Sequence, residues 1–162
     1  FLFEQHFRYT TQRPAGELAA EMQGALDLPW YDLSVNVDGI LRADGTFTLV
    51  PKLSLVTLPG FIRRQPVALL TGKMHPVNES TRIQILVRPS GSMLVTFYIL
   101  MFGLLANIYL VFVRGLQLEW VLAGAFLLLL FVARSLMYYA QYKLRERFER
   151  LLYLRRDDEE VE

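Results

Sequence analysis

Two polar side chains interrupt the apolar C-terminal half of the chain, and they are the first candidates for a specific role. Asn107 and Arg134 are the only amide or charged side chains within the apolar runs 93–113 and 120–140. A polar group in hydrocarbon is costly without a partner, so both are expected to contact one. At 1.5 Å per residue, Arg134 lies about 9 Å from the end near Ala140, and its long side chain can reach the headgroups. Asn107 lies roughly 22 Å from that side, which is too deep to do so.

Small residues close to Asn107 favour a helix contact at that depth. Gly103 and Ala106 lie on a similar face of the first run and would allow close approach, and Gly124 offers a small surface on the second run. A buried amide in a membrane usually bonds a neighbouring helix. Two interpretations remain open, namely packing between the two runs and contact with a partner protein.

Aromatic and basic residues mark the ends of the two runs. Trp120 is expected at one membrane interface, and Tyr138 and Tyr139 at the other, as in an aromatic belt. For Arg134 the predicted environment is the interface, with Tyr98 stacking on the guanidinium. A partner carboxylate or a lipid phosphate is the alternative.

No arrangement of residues in the sequence predicts catalysis, a metal site or a cofactor. His6 and His75 are isolated, whereas a structural zinc site needs four nitrogen or sulfur ligands. Residues 34–45 match a calcium loop poorly, because the twelfth position is Gly45 where a bidentate Glu is required. Nucleophile-elbow, phosphate-loop, zinc-protease and dinucleotide motifs are absent. We therefore expect a protein that is not an enzyme and holds no cofactor.

The elements that carry these residues are two runs long enough to cross a bilayer, since a spanning helix needs about 20 apolar residues. Only 114–119 separates them, so we predict a transmembrane helical hairpin over 91–140. Basic residues cluster after the second run and precede the first at Arg82 and Arg88, whereas the connection has only Arg114. By the positive-inside rule both termini are expected in the cytoplasm. The predicted location is the bacterial cell inner membrane, as a multi-pass protein.

Composition and charge limit what the rest of the chain can be. Among 162 residues, 53% are hydrophobic, and beside the hairpin only residues 1–90 remain for one small cytoplasmic domain. The net charge of +1 predicts no nucleic-acid binding. The absence of cysteine excludes disulfides. The chain begins with Phe1, and no basic segment followed by a short apolar one is visible there, so we expect no signal peptide in it.

Alternating apolar residues predict an α+β fold for residues 1–90, a small antiparallel sheet with one packed helix in the order β-α-β-β-β-β. The expected elements are a strand over 1–9, a helix between 10 and 29, and strands over 35–42, 47–55, 67–74 and 82–88. Pro14 suits the first helical turn, with Thr11 or Gln12 near the cap. The segment 43–45 predicts a hairpin turn, and Pro51 predicts an edge strand or a bulge.

Two further segments mix apolar and basic residues. After the second run, 141–162 lacks Gly and Pro as far as its acidic end, so the helix is predicted to continue past Arg150 as an amphipathic cytoplasmic extension with an acidic tail. Its apolar stripe and Arg145 can lie on headgroups, pack on the cytoplasmic domain, or pack on another protein. The loop 57–66 carries Phe61, Arg63 and Arg64, which either touch headgroups or a partner, or belong to an ordinary loop.

The order of turns and strands also resembles a known type of protein. The stretches DGILRADGTFTLVPKLSL, RRQPVALLTGKM and TRIQILVRPSGSM, which runs into the hairpin, resemble small uncharacterised bacterial membrane proteins with an N-terminal α+β domain and a C-terminal transmembrane hairpin. The resemblance covers residues 35–113. It implies that architecture and carries no known activity.

These features favour a non-catalytic accessory or scaffold subunit of a larger bacterial inner-membrane complex, for example an energy-transducing or transport assembly. The expected partners are other membrane-protein subunits and anionic lipids at the cytoplasmic face. One alternative is a membrane-tethered binding module that encloses a lipid or other apolar ligand between helix and sheet. Another is a regulatory or sensor protein that passes a ligand state through the hairpin.

Overall fold

Eight elements follow one another in the computed structural model, which describes residues 3–29, 36–52, 66–77, 80–114 and 117–154. They are β1 (Gln5–Thr11), α1 (Ala15–Leu26), β2 (Val37–Leu41), β3 (Thr46–Pro51), β4 (Ala68–Val77), β5 (Ser80–Pro89), α2 (Gly91–Arg114) and α3 (Gln117–Leu151). The predicted α+β class and the order β-α-β-β-β-β before two long helices are confirmed.

The five strands form one antiparallel sheet in the order β1-β5-β4-β3-β2. Strands β2 to β5 follow one another as neighbours, and β1 adds to the free side of β5, with Gln5 opposite Val87 and Thr11 opposite Thr81. The two edge strands are joined by α1, which therefore crosses the sheet. Since side chains alternate along a strand, each strand presents one set to the buried face and the other to the open face.

The hairpin turn predicted at residues 43–45 is confirmed. Gly45 has a φ of +77°, in the left-handed region that glycine adopts without steric cost. The Arg42 amide donates to the carbonyl oxygen of Thr46 at 2.8 Å. Asp44 Oδ1 accepts both the backbone N–H and the hydroxyl of Thr46, at 3.0 and 2.6 Å, and these bonds lower the pKa of Asp44.

The start of α1 differs from the prediction. Neither Thr11 nor Gln12 caps the helix; Pro14 is itself the N-cap residue, with φ −66° and ψ 146° and no side-chain cap hydrogen bond. Its carbonyl accepts the N–H groups of Glu17 at 3.1 Å and Leu18 at 3.3 Å. Thr11 ends β1, because its backbone pairs with β5 instead.

The interpretation of Pro51 as a mark of an edge strand or a bulge is wrong, because β3 lies between β4 and β2. The pairing of β3 with β4 ends at Leu49. Beyond it Lys52 donates its N–H to Asn36 on the β2 side at 3.3 Å, so the neighbouring nitrogen of Pro51 faces the other side. No ladder hydrogen bond is lost there, since β4 no longer pairs with β3 at that position.

The hydrophobic core fills one face of the sheet, which is covered by α1 and by the last turns of α3. The described apolar side chains with at most 1% exposure come from α1, the sheet and α3: Leu18, Met22, Val37, Leu49, Ala68, Leu70, Ile83, Val87, Leu144, Phe148 and Leu152. The ring of Phe148 stacks on Phe47 with centroids 5.5 Å apart and lies 6.2 Å from the ring of Tyr9. The extension of α3 is therefore part of the sheet domain's core.

Helix α3 runs without interruption for 35 residues, about 52 Å at 1.5 Å per residue. The prediction that the second helix continues past Arg150 is confirmed. The helix ends with Tyr153 in the left-handed region at φ +49°. There Leu154 donates its N–H to the carbonyl of Glu149 at 2.9 Å, the pattern in which a left-handed residue closes a helix C-terminus.

Helices α2 and α3 pack side by side, and each is long and apolar enough to cross a bilayer. Within the most apolar stretches of Gly91–Val113 and Trp120–Leu151, only 17% and 11% of the residues are buried inside the protein. Their outward faces expose many large apolar side chains, including Ile99, Phe102, Phe112, Val121, Leu128 and Phe131.

A second apolar cluster joins the sheet to the two long helices. Val67, just before β4, packs with Met93 of α2 and Met137 of α3, and Phe3 and Phe97 also pack against this cluster. The rings of Phe3 and Phe97 meet edge to face at 5.3 Å. The Gln141 amide donates to the carbonyl of Phe3 at 2.8 Å, so β1, α2 and α3 are tied together at one level.

Candidate functional site

Asn107 and Gly103, predicted as helix-contact residues, both lie on the side of α2 that packs on α3. Asn107 is buried, and its Oδ1 has no hydrogen-bond partner within the described residues. A Cβ added to Gly103 would come within 2.8 Å of the ring of Phe126, so the glycine accommodates that aromatic side chain. An unpaired amide oxygen between two apolar helices is costly, and Asn107 is a polar defect in the hairpin.

The other two small residues predicted at a helix contact are on the outside. Ala106 is exposed on α2, and Gly124 is exposed on α3 with no atom within 4 Å of an added Cβ. The predicted set is thus divided, with one pair inside the hairpin and the other on the outer surface. Sequence spacing alone placed Ala106 with Gly103, because residues three apart share a helix face broadly.

Arg134 is exposed on α3, and its aromatic neighbour is Phe3 rather than the expected Tyr98. The guanidinium carbon lies 6.0 Å from the centroid of the Phe3 ring, within the range of a cation–π contact. The ring of Tyr98 instead meets that of Phe97 at 6.1 Å. The sequence could not indicate this partner, because β1 is far from α3 along the chain.

Trp120, Tyr138 and Tyr139, predicted at the interfaces, are exposed at opposite ends of the apolar part of α3. Trp120 lies near its beginning, and Tyr138 and Tyr139 lie about 28 Å further along at 1.5 Å per residue. That separation is close to the roughly 30 Å thickness of a bilayer's hydrocarbon core. Their positions suit two interfacial belts, one at each end of the apolar surface.

Arg145 was predicted to contact the interface or lipid, but its side chain is enclosed by protein contacts and only 14% exposed. Its Nε donates to Glu149 Oε1 at 2.7 Å and to the Tyr9 hydroxyl at 3.1 Å, and its guanidinium carbon lies 3.8 Å from the centroid of the Phe7 ring. The Tyr9 hydroxyl in turn donates to Glu149 Oε1 at 2.5 Å. This Tyr9–Arg145–Glu149 network fastens α3 to β1.

Burial, together with the hydrogen bond to the Glu149 carboxylate, raises the pKa of Tyr9 well above its usual range. The phenol therefore stays neutral and remains a donor at any physiological pH. A second bond supports the same end of α3, where Arg13 donates to the carbonyl of Leu152 at 3.4 Å. The network is structural: the Tyr9 hydroxyl, Arg145 Nε and Glu149 Oε1 are hydrogen-bonded to one another.

The open face of the sheet, which α1 and α3 do not cover, carries several charged side chains. Exposed basic side chains from β1, β4, β5 and the β2–β3 turn lie on it, and we call them the basic sheet face: Arg8, Arg42, Lys73, Arg82 and Arg88. A shallow groove of about 400 Å³ crosses this face, lined by His6, Lys73 and the hydroxyls of Thr48 and Thr71 among others. Asp44 also lines the groove near Arg42 and Lys73, so the groove carries charges of both signs.

A second, smaller depression lies where β5 passes into α2, and we call it the junction cleft. It has a volume of about 360 Å³ and is lined by Phe3, Glu4, Leu69, Arg88, Pro89, Gly91, Leu94 and Tyr98. Gln5 pairs with Val87, and Glu4, just before β1, and Arg88, the next residue of β5, both line this cleft. Neither makes an ion pair within the described residues.

Sequence reasoning missed both surfaces, although alternation already placed Arg82 and Arg88 on one face of their strand. The predicted loop contacts Phe61, Arg63 and Arg64 lie outside the described residues. Within the described part of the chain, no group of three or more His, Cys, Asp or Glu side chains could hold a metal ion.

The alternative of a ligand enclosed between helix and sheet requires empty space between them. In the described residues it is filled by side chains of the core such as Met22 and Phe148, which have 0% exposure. Both depressions described above lie outside this core, on the open face of the sheet and at the start of α2. A ligand enclosed between helix and sheet therefore has no support from these residues.

Comparisons with known proteins add little to these observations. No protein-family model matches the chain, and no curated protein matches it. The crystal structure of CalU16 from Micromonospora echinospora is similar at 14% sequence identity over 93% of this chain and 88% of that chain, with a TM-score of 0.30. A likeness at that TM-score carries no argument, so function has to be inferred from the chemistry of the surfaces.

Proposed function

We propose that this protein is a non-catalytic accessory or scaffold subunit of a larger bacterial inner-membrane complex, with α2 and α3 as a transmembrane hairpin and both termini in the cytoplasm. The observation that carries the proposal is the continuity of α3. Its first part is apolar and exposed, and its last turns belong to the core of the sheet domain. A single helix therefore holds the domain at a fixed height and orientation beside the hairpin.

The exposure of the two helices supports a membrane environment. An apolar helix in the core of a soluble protein would be mostly buried, whereas α2 and α3 leave their outer surfaces uncovered in the described part of the chain. Contiguous apolar surface of this extent is rare on soluble monomers. The hydrocarbon of a bilayer is the solvent that suits it.

The basic sheet face supports the role of a subunit. It is turned away from α1 and α3, and within the described residues nothing covers it. Arg82 and Lys73 are exposed and have no carboxylate within ion-pair distance in the described structure. Complementary charge at such a surface selects a partner and sets its orientation. We infer that another subunit with an acidic cytoplasmic surface docks here.

The membrane topology is tested first. Because the chain has no cysteine of its own, a thiol reagent labels only the cysteine that is introduced. Single cysteines at Gly16, in α1, and at Gly115, in the connection between the long helices, are probed with a membrane-impermeant maleimide in intact spheroplasts. We expect labelling at position 115 only, and labelling at position 16 after lysis. Release of the protein by alkaline carbonate, or labelling of both positions in intact cells, contradicts the hairpin.

The partner is tested by isolation in mild detergent, in which a scaffold subunit retains a stoichiometric second protein. Lys73→Glu and Arg82→Glu are expected to lose that protein while keeping their unfolding temperature, because both positions are solvent-exposed. Arg150→Glu reverses an exposed charge on α3, away from the sheet's open face, and should retain the partner. A clean monomer or homodimer from the native membrane refutes the proposal.

A further inference from the structure

The junction cleft brings two opposite charges together beside an apolar wall. Arg88 is exposed and Glu4 is half-buried, and both line this cleft without forming an ion pair in the described structure. Phe3, Leu94 and Tyr98 supply the apolar side of the same cleft. A site with one cation, one anion and an apolar wall fits a ligand with the reverse charges and an attached apolar chain.

We propose that the junction cleft binds one ethanolamine phospholipid, whose headgroup carries a phosphate, a primary ammonium and no other charged group. The inference rests on the proposed function, because it requires α2 to lie in a membrane. The Arg88 guanidinium donates to the phosphate oxygens, a pairing for which its planar fork is suited. The Glu4 carboxylate accepts hydrogen bonds from the ammonium group.

The position of the cleft agrees with the depth of a headgroup. Gly91 begins α2, and Leu94 and Tyr98 follow at intervals that place them along one side of its first two turns. Phe3, which lines the cleft, is also the ring that lies near Arg134 on α3. The cleft is thus level with the aromatic and basic residues that mark a membrane interface.

The Glu4 carboxylate distinguishes phospholipids by the group that their headgroup presents to it. A glycerol headgroup has a phosphate and no ammonium, so it would leave Glu4 unpaired beside a second negative charge. A choline headgroup has the correct charges, but its quaternary nitrogen has no N–H to donate. Only a primary ammonium satisfies Glu4 with charge-assisted hydrogen bonds, which are about twice as strong as neutral ones.

The size of the cleft sets which part of the lipid is held. Its volume of about 360 Å³ is at the lower end of the range of ligand pockets, enough for a headgroup and not for two acyl chains. The acyl chains are therefore expected to leave along Leu94 and Tyr98 and remain in the bilayer. Free phosphoethanolamine, which lacks the chains, should compete poorly.

The test uses the full chain in detergent and native mass spectrometry with dioleoyl lipids bearing ethanolamine, choline or glycerol headgroups at equal concentration. We expect an ethanolamine adduct about tenfold more abundant than either of the others, as the loss of one charge-assisted bond implies. Glu4→Gln should bring the three adducts to near parity. Arg88→Gln should weaken all three about tenfold.

Arg82→Gln is the matched control, because Arg82 lies on the same strand and the same face but outside the cleft. It should bind like the wild type, and unchanged circular dichroism establishes that each variant is folded. Equal binding of the three lipids by the wild type, preference for the glycerol headgroup, or equal losses in Arg82→Gln overturn the inference. Millimolar phosphoethanolamine that displaces the lipid would assign the site to a soluble ligand instead.

Failure of this inference is distinguishable from failure of the proposed function. Carbonate extraction is done on the same membranes before the lipid measurement. A protein that is released shows that the hairpin does not span, and both proposals then fail. A protein that is retained and yet shows no headgroup preference leaves the scaffold proposal standing and refutes only the lipid site.

Discussion

Replacing Phe148 by Ala tests whether the end of α3 is a component of the sheet domain or a separate amphipathic helix. The side chain has 0% exposure and contacts the rings of Phe47 and Tyr9. Truncating a buried Phe to Ala costs about 3–5 kcal/mol, and paired aromatic rings favour the upper half of that range. We expect a loss of about 4 kcal/mol, a large share of the roughly 5–15 kcal/mol that stabilises a domain.

Hydrogen exchange is the appropriate assay, because it reports opening of the sheet domain while the apolar helices stay folded. The backbone amides of β4 and β5 lie in the centre of the sheet and exchange when the domain opens. A loss of about 4 kcal/mol corresponds to opening about 1,000-fold more often. Peptides from Ala68–Val77 and Ser80–Pro89 should therefore exchange faster by that factor in Phe148→Ala, as measured by mass spectrometry of the solubilised chain.

Tyr142→Ala is the control, since it removes an exposed aromatic side chain from the same helix less than two turns earlier. It should leave exchange in the sheet within about tenfold of wild type, as expected for a surface substitution. If Phe148→Ala behaves like Tyr142→Ala, the extension contributes nothing to the core and the reasoning is refuted. A chain ending at Ala140 lacks Leu144, Phe148 and Leu152 together, and its sheet domain should not fold.

Three further outcomes follow from single residues. Tyr9→Phe removes a hydrogen bond to the Glu149 carboxylate and should lower the free energy of unfolding by about 1.5 kcal/mol. Because the folded-state pKa of Tyr9 is raised, this difference from the wild type should be complete below about pH 10 and decline above it, which unfolding of both proteins from pH 7 to 11 checks. Tyr153→Gly should raise the free energy of unfolding by about 1 kcal/mol, because Tyr153 is 80% exposed and its φ of +49° is strained for any residue with a Cβ. Tyr153→Ala keeps that strain and should not be stabilised, so equal effects of the two substitutions would contradict the explanation. Asn107→Leu should stabilise the hairpin against SDS by about 1 kcal/mol, because the buried Oδ1 has no donor in the described residues; destabilisation would show that a partner supplies one.

Much of the fold follows from local pattern. The strand and helix order is readable because the alternation of apolar residues in strands and their spacing in α1 are properties of short segments. The continuation of α3 past Arg150 is readable for the same reason, since no Gly or Pro interrupts it. The errors at Pro14 and Pro51 are also local, but they depend on which neighbouring strand pairs and where that pairing ends.

The candidate surfaces were much less predictable. The basic sheet face is implicit in the alternation of β1 and β5, yet its extension to Lys73 and Arg42 depends on the strand order. The predicted set of small residues is divided between the inside and the outside of the hairpin, because the rotation of α2 against α3 is decided by packing and not by spacing. Arg134 meets Phe3 rather than Tyr98 for the same reason.

By itself the sequence determined the α+β class, the two long apolar helices and the uninterrupted third helix, since each is set by residues close together along the chain. Only the tertiary structure decided that the end of α3 completes the sheet's core, that Tyr9 bonds Glu149 across 140 positions, and that Glu4 and Arg88 line one cleft. These pairings join residues whose proximity depends on strand order, register and the direction of one long helix. No local pattern encodes them, because they arise when the sheet and the helix pack against each other.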